Sequence, residues 1–166
     1  MSQHRARVTW EQPTTDFLEG RYSRRHWWSF DSGTVMEASA AAGNVPPGFA
    51  DPDCVDPEEA YVASIASCHL LTFLWVAYRR GYTVSRYDDQ AEGFMTTNAH
   101  GKRWVSDVVL APRITWEGPP PGAPELEALH EEAHRECFIA NSVKTAIRVV
   151  PAPEGAVAET AAPALP

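Results

Sequence analysis

The sequence has little cysteine, three residues in 166, and no surplus of positive charge, since 14 Lys and Arg stand against 22 Asp and Glu for a formal net charge of -8. Three is an odd and small number for a secreted disulfide scaffold, so the cysteines suit a reducing compartment, where they matter through reactivity if at all. The acidic balance leaves no broad basic surface for phosphates, which argues against nucleic acid as a partner and for a small neutral or apolar substrate. No run approaches the roughly 20 apolar residues that span a bilayer, and the N-terminal MSQHRARVTWEQ lacks the apolar core of a signal peptide. A soluble, cytoplasmic protein without a membrane partner is expected. The length is that of one ordinary domain, able to bury a core without staples from disulfides or metals.

Residues 1–150 read as a single domain, followed by a Pro/Ala-rich tail, PAPEGAVAETAAPALP over 151–166, of a composition that does not fold. The first forty residues are rich in Trp, Tyr, Val and Thr, with a turn at Asp31, Ser32 and Gly33, and predict a meander of strands. A Pro- and Gly-rich loop over 43–56 then leads to the clearest element. Asp56 is placed as an N-cap, Pro57 at the first helical position, Glu58 and Glu59 in the first turn and Gly81 just past the end, so a helix is expected over about 57–80. Between Ala60 and Tyr78 that helix carries no formal charge and shows apolar or small side chains all round, which requires enclosure on nearly every side. At 1.5 Å per residue it is about 36 Å long, more than one small domain easily wraps, so a partner subunit is the natural cover. Strands over 82–97 and 103–116 follow as a long hairpin turning at 98–101. A helix over 124–136 with Leu126, Leu129 and Ala133 at helical spacing and a last strand over 145–150 complete an α+β order.

Two patterns bear chemistry. Cys68 lies near the middle of the long helix and Cys137 ends the second one; either residue type, when buried, commonly serves as a small core hydrophobe. Cys54 sits in a Pro/Asp loop and looks incidental. His130-Glu131-Glu132-Ala133-His134 is a literal H-E-x-x-H, the spacing that sets two zinc ligands one turn apart with a glutamate base. Glu132 charges the centre of that motif and no third ligand follows at a recognised spacing, so a solvated Glu/His face is expected there rather than a zinc hydrolase site.

Three separated segments carry a family likeness: YSRRHWWSFDSG, DPEEAYVASIASCHLLTFL and HRECFIANSVKTAIRVV. In order and spacing they resemble the OsmC/Ohr family, the osmotically inducible protein C and organic hydroperoxide resistance proteins. Phe138, where many members carry proline after the second cysteine, sets the chain nearer the OsmC-like branches. The resemblance implies antiparallel sheets around a long buried central helix in an intertwined homodimer. It implies a cysteine-based peroxidase with no bound cofactor or metal, in which Cys68 attacks an organic hydroperoxide, or hydrogen peroxide, and Cys137 resolves the sulfenic acid as a disulfide. A thiol or lipoyl-protein reductant such as dihydrolipoamide then reopens it. The alternative within the family is a non-catalytic binding or structural member.

The physical chemistry of that reading demands a cation. A thiol attacks a peroxide as the thiolate, and an enclosed cysteine keeps its proton unless a fixed positive charge lies beside it. Arg24 best matches the family's arginine, with Arg25 an alternative because strand alternation sends the two to opposite faces. Glu58 would hold the guanidinium by a bidentate contact. Glu58 and Cys68 stand about 15 Å apart along one helix and about 80° apart in direction, so an antiparallel partner helix is expected to bring its Glu58 to the first subunit's Cys68. Ile65, Leu70, Phe73 and the Trp27-Trp28 pair are expected to line an apolar substrate pocket.

Overall fold

The long helix forms where its terminal signals put it. In the computed structural model, which describes residues 1–11 and 16–150, α1 spans Pro57–Arg79. Asp56 and Glu59 close a reciprocal cap at its start: Glu59 N–H donates to Asp56 Oδ1 at 2.8 Å, and Asp56 N–H donates to Glu59 Oε2 at 3.1 Å. At the other end Gly81 adopts φ 82°, where a Cβ would be strained. This lets Tyr82 N–H reach Ala77 O and Gly81 N–H reach Tyr78 O, the paired bonds that satisfy the last carbonyls. The tail over 151–166 lies outside the described residues.

Two compact units divide the chain, Met1–Tyr61 and the part from Val62 onward, with the boundary inside α1. The first holds a three-stranded antiparallel meander, β1 (Ala6–Thr9), β2 (His26–Phe30) and β3 (Val35–Ala38), in that order. The β2–β3 turn passes through Gly33 at φ 84°. Below it the loop toward α1 is tied back through fully buried Ser39, whose N–H donates to Val55 O and whose Oγ accepts from Asp51 N–H.

In the second unit the expected long hairpin exists, but it is bent into two sheets. β4 (Thr83–Asp89) pairs with β7 (Pro112–Glu117), and β5 (Glu92–Thr97) pairs with β6 (Arg103–Leu110). The break falls at residues 90, 91 and 111. Pro112 offers no N–H to a ladder, and Ala111 N–H donates to the Asp89 carboxylate at 2.7 Å instead of to a strand. β8 (Ala146–Val149) adds to β6 in parallel, so the third sheet is mixed, β5-β6-β8. The parallel pairing needs a crossover, which α2 (Ala123–Glu136) supplies.

The core of this unit joins Phe73, Val76 and Ala77 of α1 to Leu129 and Ala133 of α2, with Tyr87, Ile114 and Trp116 of the β4–β7 sheet packed on them. Gly93 of β5 touches Val62 so closely that a Cβ would overlap its methyl. The fold is thus α+β, two helices with mainly antiparallel sheets. α1 also corrects the expectation from apolar runs: an 18-residue window reaches a mean hydropathy of 1.6, long and apolar enough by composition to cross a bilayer. The same signature belongs to core helices, and Ile65, His69, Phe73, Val76 and Ala77 of α1 are buried in the chain.

Candidate active site

α1 and the end of α2 bring two of the three cysteines together. Cys68 Sγ and Cys137 Sγ lie 2.8 Å apart, with both thiols free. Cys137 is the C-cap of α2 and is 1% exposed, whereas Cys68 is partly exposed. Burial pushes the Cys137 thiol up, the Cys68 contact adds to this, and the N–H of Ala140 offsets it in part. Cys137 therefore holds its proton and donates it toward Cys68. A second donor, the Ile139 N–H, points at the Cys68 sulfur from 3.4 Å. The turn over Ala140–Ser142, which with its N-cap Ile139 supplies these backbone groups, is pinned by Asn141, whose Nδ2 donates to the Cys137 and Arg135 carbonyls.

Cys68 opens onto a groove of about 630 Å³ walled by Leu71, Trp75, Phe138 and Ile139, with Ser64, Ser67, Thr72 and the carboxylate of Glu136 as its polar groups. The wall differs from the expected one. Ile65 and Phe73 are buried core residues of α1, and Trp27 and Trp28 belong to β2 of the first unit, where Trp28 Nε1 donates to His26 Nε2. Leu70 is absent from the groove lining, which takes Leu71 instead. Leu71 is 65% exposed and Phe138 84%, so the groove mouth is an apolar surface within a single chain.

The polar candidates lie in the first unit. Arg24 donates to the carbonyls of Gly20 and Tyr22 and stacks its guanidinium 3.6 Å over the Tyr22 ring, with the Phe49 ring 5.7 Å away. Arg25, the alternative, is exposed and taken up by Glu37 and Asp51. Glu58 accepts from Asn44 Nδ2 at 3.1 Å. Arg24 and Glu58 form no ion pair with each other among the described residues, so the bidentate contact expected from the sequence is not made within the chain. Cys54 sits beside Asp51 in its loop, its thiol pushed up by burial and by that carboxylate.

A family model described as OsmC-like protein matches residues 50–151, well over half of the chain and inclusive of Glu58, Cys68 and Cys137. The chain belongs to the OsmC family. Among solved structures, an OsmC-like protein of unknown function from Vibrio cholerae is 42% identical, covers 91% of this chain and 99% of its own, and superposes with a TM-score of 0.87. An organic hydroperoxide resistance protein OsmC from Legionella pneumophila shares the fold at 15% identity and TM-score 0.70, covering 92% of this chain and 98% of its own. The organic hydroperoxide resistance protein of Bacillus subtilis does so at 13% identity and TM-score 0.63, covering 91% and 97%. No curated protein sequence matches the chain.

The H-E-x-x-H motif of this OsmC-family chain is only partly the solvated face expected: Glu131 is exposed and Glu132 and His134 are half-buried, whereas His130 and Ala133 turn into the interior. His130 is 4% exposed, and its Nδ1 lies 3.1 Å from Nε2 of His69, itself 1% exposed, with Phe73 stacked against it. Burial pushes both imidazoles down to about 4, and the neighbouring His130 and His134 add to the effect at His69. Glu132 pairs with Arg80. Among the described residues no three His, Cys, Asp or Glu side chains stand close enough to hold a metal ion, so the zinc-hydrolase alternative lacks a ligand set. The sequence reading missed the His69–His130 pair. Its one available signal was that the Leu126, Leu129, Ala133 stripe also passes beside position 130.

Proposed function

We propose that this protein is a thiol peroxidase that reduces organic hydroperoxides through Cys68 and Cys137. The observation that carries the reading is the 2.8 Å contact between the two sulfurs at the head of an apolar groove. The Cys68 thiolate attacks the terminal peroxide oxygen, the O–O bond breaks, and the alkoxide leaves as the alcohol after taking a proton; Cys68 is now a sulfenic acid. The Cys137 thiol, held next to it, displaces water to form the disulfide. Its sulfur needs to approach by less than about 1 Å to reach the 2.05 Å of an S–S bond. A dithiol such as protein-bound dihydrolipoamide, or a small thiol, returns both cysteines to the reduced state by exchange. Burial and the raised thiol of Cys137 favour Cys68 as the attacking residue.

The groove's apolar wall favours an alkyl or aryl hydroperoxide over hydrogen peroxide. Arg24 is the cation proposed to stabilise the thiolate and Glu58 its carboxylate partner, supplied across a homodimer whose interface covers Leu71, Trp75 and Tyr78 of α1. Such chemistry suits a reducing, cytoplasmic setting. Steady-state turnover of cumene hydroperoxide and of hydrogen peroxide, each with a lipoyl donor or dithiothreitol, tests the reading. Consumption of the organic peroxide at a higher kcat/KM supports it; no consumption of either rejects it. Mixing inactive Cys68→Ser and Glu58→Ala subunits tests the shared site, since one of the two sites in a heterodimer regains a complete set. Verified heterodimers without activity would remove the cross-subunit glutamate.

A further inference from the structure

The H-E-x-x-H face serves neither zinc nor the cysteine pair, yet it forms one wall of a second groove. One face of α2 from Ala123 to His134 and the side chains of Ile147 and Val149 on β8 enclose about 520 Å³, within the range of small-ligand sites. No residue of this groove lines the one at Cys68.

Three features specify the occupant. Leu126, Ile147 and Val149 make an apolar wall. Glu127 and Glu131, one helical turn apart, add two exposed carboxylates to the lining, and neither has a cationic partner among the described residues. Like charges at that spacing repel, so a bound cation is favoured there and an anion opposed. The third is His130. Its Nδ1 is engaged with His69, which leaves Nε2, buried and without a hydrogen-bond partner, as the ring nitrogen free to meet a ligand in the groove that His130 lines. A buried polar atom left without a partner is costly, and a ligand group bonded to it removes the cost. The imidazole is neutral near pH 7, and of its two tautomers the one whose Nδ1–H donates to His69 Nε2 leaves His130 Nε2 a bare acceptor, the form that a bound N–H donor selects.

We propose that the α2–β8 groove binds an amphiphilic monocation, an alkyl- or arylalkylammonium, with its N–H donating to His130 Nε2, its charge against Glu127 and Glu131, and its chain along Leu126, Ile147 and Val149. A metal ion does not fit, because no three donors converge. The site is independent of the peroxidase reading, and either can fail without the other.

The test titrates the full chain at pH 7 and low salt with n-hexylammonium, n-hexanol and hexanoate. Binding is followed by calorimetry, and imidazole ¹⁵N shifts are followed by NMR. Hexylammonium is expected to bind more tightly than hexanol, hexanoate is expected not to bind, and the His130 nitrogen signals should move on addition of the amine. The Glu127→Gln, Glu131→Gln double variant alters exposed positions and is expected to keep its circular dichroism and peroxide turnover while losing at least tenfold in hexylammonium affinity. Absence of hexylammonium binding, equal binding of hexanol or hexanoate, unmoved His130 signals, or an unchanged affinity in the double variant would each overturn the proposal.

Discussion

The buried His69–His130 pair makes stability depend on pH in a way that can be worked out. Both imidazoles fall from an ordinary 6.5 to about 4 in the folded chain. The unfolded chain regains the ordinary value, so between those limits it takes up protons that the folded chain refuses. Stability is therefore complete above pH 6.5 and falls as the pH drops toward 4. With a limiting 1.36 kcal/mol for each pH unit, lowering the pH from 7 to 5 costs about 2 kcal/mol per histidine and roughly 4 kcal/mol for the pair. That is a large part of the 5–15 kcal/mol typical of a domain. Half-buried Asp89 works in the opposite sense, since its raised carboxyl favours the folded state as the pH falls. It does so equally in wild type and in a variant that lacks the histidines. Urea unfolding at pH 7 and pH 5 should show the wild type losing about 4 kcal/mol more than a His69→Leu, His130→Leu double variant. An equal loss in the two proteins would mean that the pair is not held neutral in the folded state, and the reasoning would fail.

Other outcomes follow from particular contacts. Gly93→Ala places a Cβ on the Val62 methyl and should destabilise by about 1–3 kcal/mol in urea unfolding, with little change in peroxide turnover. Cys137→Ser should consume about one equivalent of peroxide and then over-oxidise at Cys68, seen as added oxygen by mass spectrometry. Cys54→Ser should behave as wild type in the same experiment. Arg24→Ala should slow iodoacetamide alkylation of Cys68 at a fixed pH while leaving the circular dichroism intact, and Arg25→Ala should do so less because its side chain is spent on Glu37 and Asp51. Equal alkylation rates for wild type and Arg24→Ala would remove Arg24 from the site.

Local signals carried most of the fold. The Asp56 cap, Pro57 and Gly81 fixed α1 to within a residue because each acts on the backbone beside it. The bend that splits the long hairpin was less visible, although Pro112 marked it, because strand runs read through a single proline until the partner strand is known. Among candidate residues, Cys68 and Cys137 were legible as a pair only through the family likeness. Sixty-nine positions separate them, and no periodicity reports a contact of that range. The same limit hid His69 from His130, which lie 61 positions apart. The groove wall was misjudged by one step around α1. Phe73 and Ile65 point into the core, while Leu71 and Trp75 border the groove; on a helix that is apolar all round, composition cannot tell the two faces apart.

The most direct test of the central claim is mass spectrometry of the reduced protein after one equivalent of cumene hydroperoxide and alkylation of the remaining thiols. The account predicts a loss of two alkylatable thiols and a single Cys68–Cys137 disulfide peptide, with Cys54 alkylated. Peroxide consumed while Cys68 remains fully alkylatable would contradict it.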